Sequence, residues 1–325
     1  MSYKELKTTK VYDLYWKFAA ERQEVFFRRL NEDSAPWTED AIISKYKFTN
    51  SYRASDRISQ YLIKNVIYKE GCQYTPEDIV FRILLFKLFN KIETWEYLEG
   101  KLGDITYKNF DLKKYDKLFC TRIMSNERIY SAAYIMPSGK SFFGYERKHQ
   151  NHLALVEHMM RSGFMSGVAS AKSLKELYEL LLSFPSLGSF LAFQYSIDIN
   201  YSELCDFSEM SYVVAGPGAK NGIHKCFGDV HDMSYEDVIR YVAEKQEEEF
   251  EKRNIHFKSL GGRRLQLIDC QNLFCETDKY ARVACPEIEG LNDRKRIKQQ
   301  YIDRHYKNIE YFYPPKWKID VKKMI

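Results

Sequence analysis

The fold of this chain turns on one stretch, SFPSLGSFLAFQYSIDINY, from Ser183 to Tyr201. Ahead of it, KSLKELYELLL (Lys172 to Leu182) repeats apolar residues at helical spacing. Pro185 and Gly188 then bracket a tight turn, and a second apolar helical run opens at Ser189. The pattern predicts two helices joined as an αα-hairpin. Such a turn serves one of two purposes. It packs two helices into a core, or it aims the free N–H groups of the second helix at a phosphate, where the helix dipole favours negative charge. In the second case Gly188 and Ser189 are the small residues that let a DNA backbone approach.

Helical periodicity continues on both sides of the hairpin. Lys10 to Leu30 reads as an amphipathic helix, and a further one runs from about Ala54 to Tyr68. Thr75-Pro76-Glu77-Asp78 is a helix start, with a Thr cap, Pro at the first position and acids in the first turn. The run it opens, IVFRILLFKLF, is apolar nearly all round and predicts a central helix. Ser234 to Glu251 reads as one long polar helix with an acidic tail, EKQEEEFE. The pattern breaks at IYSAAYIMPSGKSFFGYE, where a short β-hairpin is expected, and at LQLI (Leu265 to Ile268), which reads as strand-like. The sum is a mostly α fold, with two lobes allowed. It divides into a helical extension over 1–40, a helical domain over 41–290 and a basic extension over 291–325.

Composition bounds the partners. With 45% hydrophobic residues the chain can bury a core, and no run of 18 apolar residues offers a membrane span. MSYKELKTTK has no apolar segment of a secretory signal, and seven irregularly spaced cysteines suit a reducing cytoplasm. The formal charge of +5 is mild. From Leu291 to Ile325, however, ten Lys/Arg stand against four Asp/Glu, a net of +6, which suits a nucleic-acid partner. SGKS at Ser138 lacks the P-loop's first glycine, whose place is taken by Tyr134. His149, His152 and His158 form no HExxH pattern, and neither a metal nor a cofactor is expected.

Three segments carry candidate chemistry. KYKFTNSYRASDRISQYLI (Lys45 to Ile63) crowds Tyr46, Phe48, Asn50, Tyr52, Arg53 and Asp56 together. Aromatics with an Asn and an Arg–Asp pair can stack on and hydrogen-bond a flipped base, or form a structural network. GPGAKNGIHK (Gly216 to Lys225) leads a glycine-rich turn into a helix with Lys220 and Lys225. With Gly216 and Gly218 it is either an anion cradle or a turn with surface lysines. In LQLIDCQNLFCETDKYAR, Asp269 can cap a helix on which Asn272, Glu276 and Lys279 share a face. These are pocket residues, or a cap with a surface ion pair.

The hairpin resembles the helix-hairpin-helix unit of DNA glycosylases. Pro185, Leu187, Gly188 and Ala192 match its pattern, and Ser186 and Leu191 depart from it. Where lyase-type members carry a lysine two residues after the last glycine, this chain has Phe190. The region where that superfamily places its Asp holds Asp206, Glu209 and the Gly216-Pro217-Gly218 run. KFTNSYRASDRISQYLI, AGPGAKNGIHK and DCQNLFCETDKY together resemble the α-glutamyl/putrescinyl thymine pyrophosphorylase family. That family includes the helical domain associated with 5-hydroxymethyl-deoxyuridine DNA kinases.

The resemblance implies a helix-hairpin-helix glycosylase-like fold and modified pyrimidines in DNA, phage DNA included, as substrate. The expected function is a monofunctional DNA glycosylase of phage defence. Tyr46, Phe48, Asn50, Tyr52, Arg53, Asp56, Asn272 and Lys279 would line its base pocket. Asp269, with Glu276 or Glu209 behind it, would act on the sugar. Gly188, Ser189, Gly216, Gly218, Lys220 and Lys225 would hold phosphates. Two alternatives are a transferase that displaces pyrophosphate with an amine, and a silent modified-DNA-binding module.

Overall fold

The computed structural model describes residues 6–132, 136–302 and 309–325. Its α-helices, in chain order, are α1 Lys10–Leu30, α2 Ala41–Lys45, α3 Arg57–Tyr61, α4 Pro76–Phe89, α5 Ile92–Leu102, α6 Leu112–Met124, α7 Lys140–Phe143, α8 Lys148–Arg161, α9 Phe164–Ser170, α10 Leu174–Leu182, α11 Ser189–Asn200, α12 Pro217–Phe227, α13 Tyr235–Glu244, α14 Gln246–Lys252 and α15 Leu267–Ala284. The architecture is mostly α. Among the described residues, the strand-like pairings are the isolated bridges Tyr46–Gln300 and Leu260–Arg263.

The chain forms two compact units. The first comprises Met1–Asp56, Tyr212–Tyr311 and Ile319–Ile325, and the second Arg57–Ser211 and Phe312–Lys318. In the second unit α4 and α11 are buried on nearly every side, as helices apolar all round must be. The Thr75–Asp78 capping box starts α4 as the sequence predicts, and Asn90 ends it in the left-handed conformation. A buried ion pair, Lys87 Nζ to Asp198 at 3.2 Å, ties α4 to α11. The π-helix Leu62–Ile67 continues α3. Arg82, fully buried, donates to the carbonyls of Asn65 and Val66, which the widened turn leaves over, and to that of Ile105 beyond α5.

In the first unit α1 is capped by Thr9 and buries Tyr12, Tyr15, Trp16, Phe18 and Phe26. Its neighbours α12 and α15 approach closely. A Cβ at Gly222 would collide with the Phe274 carbonyl, and one at Gly218 would sit 3.0 Å from Cys275 Sγ.

Three local expectations need correction. The stretch from 130 to 145 holds no β-hairpin among its described residues, and Lys140–Phe143 is a helical turn between two left-handed glycines, Gly139 and Gly144. Ala133–Ile135 lie outside the described residues. LQLI is not a strand: α15 begins at Leu267, because Gln266 and Asp269 form a capping box. The long polar helix breaks at Lys245 into α13 and α14.

Candidate functional site

A set of charged side chains in the first unit gathers around the loop that follows α2. Asp269 fixes this loop. Its Oδ2 accepts from Gln266 N at 3.0 Å and its Oδ1 from Arg53 N at 2.8 Å, so one carboxylate caps α15 and staples residue 53 to it. Glu276, two turns further along α15, accepts from Thr49 N at 2.9 Å and pairs with Lys279 at 2.7 Å. Both acids therefore hold the same loop by its backbone.

Asp56 and Arg22 close the cluster. Asp56 Oδ1 accepts from Asn50 N at 2.8 Å. Arg22 donates to Thr49 O at 3.0 Å and to Asn50 Oδ1 at 2.9 Å, and Asn50 Nδ2 donates to Ser55 O at 2.7 Å. Burial pushes the Asp56 carboxyl up to about 7, and the Glu276 charge adds to the rise. The Asn50 N–H, Arg22 and Arg53 oppose it without cancelling it. Burial also lowers the Arg22 guanidinium from its ordinary value, against the pull of Asp56 and Glu276. Among the described residues Asp56 Oδ2 carries no hydrogen bond, although the residue is only partly buried. A carboxyl that titrates near neutrality with one oxygen uncommitted can take or give a proton at working pH.

The structure thus brings Asn50, Arg53, Asp56, Asp269, Glu276 and Lys279 into one network. The aromatics serve packing. Phe48 lies against Phe18 at 5.2 Å, with Lys279 Nζ 4.7 Å from its ring centre. Tyr52 is 1% exposed and donates its hydroxyl to Arg263 O. Tyr46 forms the bridge to Gln300 beneath Lys45. Asn272 is partly buried on α15.

The glycine-rich segment is built into helix packing. Gly216 is buried at the cap of α12, and Gly218 faces α15. Lys220 lies over the Tyr235 ring at 5.4 Å. Lys225 is buried and pairs with Asp278 at 3.0 Å, where Asn221 and Arg282 also reach the same carboxylate. Gly188 and Ser189 are exposed at the start of α11 in the second unit, and Glu209 is buried in that unit.

Arg22 is the residue that sequence reading missed. It occupies the stripe Tyr15, Phe18, Arg22, Phe26, at spacings of three and four on α1. A lone cation in an aromatic stripe was the available signal. Two cavities, of about 640 and 580 Å³, have other linings, and neither reaches Asp56 or Glu276.

The match to known proteins lies in the sequence of the helical region and points to a domain of DNA-modification enzymes. Residues 9–290 match the helical domain of 5-hmdU DNA kinases, and the chain belongs to that family. It is 24% identical over 321 residues to the 5-hmdU DNA kinase of Bacillus phage SP10, covering 92% of this chain and 50% of that protein. The chain therefore spans about half the length of the relative it matches. No solved structure matches it. Among the described residues no helix is long and apolar enough to cross a membrane.

These matches overturn the expectation of a DNA glycosylase and of hydrolysis in general. The family and the relative carry the name of a kinase, an enzyme that moves a phosphoryl group. That chemistry breaks no N-glycosidic bond, and the relative's name specifies no attached amine. The physical reason for the misreading is that a tight αα-hairpin and a buried acid suit either reaction.

Proposed function

We propose that this chain is the DNA-reading part of a 5-hmdU DNA kinase system, and that Asp56 accepts the hydrogen bond of the 5-hydroxymethyl group to be phosphorylated. Phosphoryl transfer to a hydroxyl needs a positioned group that orients it and takes its proton. The observation that carries the reading is Asp56, whose carboxyl is poised near neutrality with Oδ2 uncommitted, in a loop tied down by Asp269, Glu276 and Arg22. The reacting hydroxyl sits on the carbon that is thymine's C5-methyl, at the major-groove edge. It is reached without removing the base from the stack, so the cluster need not enclose a base. The phosphoryl donor belongs, on this reading, to a kinase module outside the residues described here. Lys140 of the SGKS segment pairs with Glu146 at 2.7 Å and makes no phosphate loop.

Competition binding tests this with duplexes that differ only in 5-hmdU against thymine. The wild-type chain is expected to prefer the 5-hmdU duplex. Asp56→Asn is expected to cut that preference about tenfold, the worth of one charge-assisted hydrogen bond, while leaving thymine-duplex affinity unchanged. Equal affinity of the wild type for both duplexes, or none for either, overturns the proposal.

A further inference from the structure

We propose that the second unit holds a divalent-metal site, suited by its donors to Zn²⁺, formed by Asp116 and Cys120 of α6 and His149 of α8. Asp116 and Cys120 stand one helical turn apart, so both side chains leave the same face of α6. His149, buried near the start of α8, meets them from the facing helix. One ligand atom from each lies within 4.8 Å of the others. Cys120 Sγ is 3.4 Å from Asp116 Oδ1 and 3.7 Å from His149 Nε2. His149 Nε2 is 2.7 Å from Asp116 Oδ1.

Two features separate this from a relay of the Cys-His-Asp kind. In a relay the thiol and the acid sit on opposite ring nitrogens, so that a proton can pass through the imidazole. Here both sit at Nε2, and the three donor atoms lie within 4.8 Å of one another. The spacing also suits a metal. Tetrahedral Zn²⁺ with N, O and S ligands holds neighbouring donors roughly 3.3–3.6 Å apart. The two contacts of Cys120 already have about that length, and the Asp116–His149 contact needs to open by little more than half an ångström.

The surroundings supply the remaining parts. Gln150 Nε2 donates to Asp116 Oδ2 at 3.0 Å, which turns Oδ1 toward the site, as outer partners of metal carboxylates do. The thiolate–imidazole–carboxylate set favours Zn²⁺ over Mg²⁺ or Ca²⁺. Three protein ligands leave a fourth position open to water. His149 borders the cavity of about 640 Å³ that Tyr130, Arg147 and Lys148 also line. Arg147 Nη1 donates to Cys120 Sγ at 2.7 Å and competes for the thiol, but the residue is exposed and can turn into solvent. His152 is no candidate: its two ring nitrogens are taken by Tyr130 and by the Pro137 carbonyl.

Titration of the full, metal-stripped chain with Co²⁺ tests the site. The expected result is one equivalent bound, with the visible bands of a tetrahedral ion and a thiolate charge-transfer absorption, both bleached by Zn²⁺. Cys120→Ser keeps the side chain's shape and should abolish the charge-transfer band. His149→Ala and Asp116→Asn should weaken binding at least tenfold, and Arg147→Gln should tighten it. Zn²⁺ should raise the unfolding temperature of the wild type and leave that of Cys120→Ser unmoved. The six other cysteines serve as an internal control. No stoichiometric uptake by the wild type, or a thiolate band that survives in Cys120→Ser, overturns the site.

Discussion

Asp56 shares its surroundings with a second acid and a cation, and its protonation is bound to couple to folding. Its folded-state carboxyl is raised from an ordinary 3.8 to about 7. Between those values the folded chain holds a proton that the unfolded chain has released, so stability falls as pH rises through this window. Asp56→Asn removes the titration while keeping an acceptor for Asn50 N–H. Urea unfolding at pH 5 and pH 7.5 should show a stability loss in the wild type that shrinks in the variant. An identical loss in both would mean that Asp56 is already ionised at pH 5. At this scale the sequence was partly legible. Asn50, Arg53, Asp56, Asp269 and Glu276 all stood out as candidates. Their partners did not, because Asp269 meets Arg53 across 216 positions of chain and Glu276 meets Thr49 across 227.

Among the elements, the pair α12 and α15 shows how one motif supports two readings. Gly218 and Gly222 resemble a flexible phosphate loop in sequence, and in the fold they let two helix backbones touch. Gly222→Ala drives a methyl into the Phe274 carbonyl and should cost about 2–3 kcal/mol in chemical denaturation, as overpacking does. Gly100→Ala in α5 is the matched control. It meets nothing within 4 Å, and as a helix-interior glycine it should gain up to about 1 kcal/mol. Equal effects of the two changes would remove the packing account. Helix starts were more legible than helix partners. Thr75 and Ser234 announce α4 and α13 through caps that involve only residues three positions apart. Where Gln266 stood in for the usual Ser or Thr, the start of α15 was read as strand.

On the scale of the whole molecule, the last stretch of the basic C-terminal segment, residues 312–325, packs onto the fold through Tyr313 and Met324. Residues 312–318 belong to the second unit and 319–325 to the first. Lys316 donates to Asn200 O at 2.6 Å, to Ser202 O at 2.9 Å and to Cys205 O, closing the end of α11. Tyr201 and Tyr313 pack on Trp317 beside it. Lys316→Met leaves those carbonyls without a donor and should cost about 2–3 kcal/mol, the worth of charge-assisted hydrogen bonds at a buried site. Thermal unfolding measures it. A variant as stable as the wild type would return this lysine to the solvent-facing charge that composition suggests.

By itself the sequence determined a mostly helical chain, the positions of most helices and the family to which residues 9–290 belong. These rest on periodicity, caps and motifs that span a few residues each. Only the tertiary structure decided which acid stands near neutrality, that Lys225 faces Asp278 rather than solvent, and that Arg22 joins the cluster. A helix is specified by contacts three and four residues apart. The charge on a carboxyl is specified by what burial removes and by partners hundreds of residues away, and no local pattern records either.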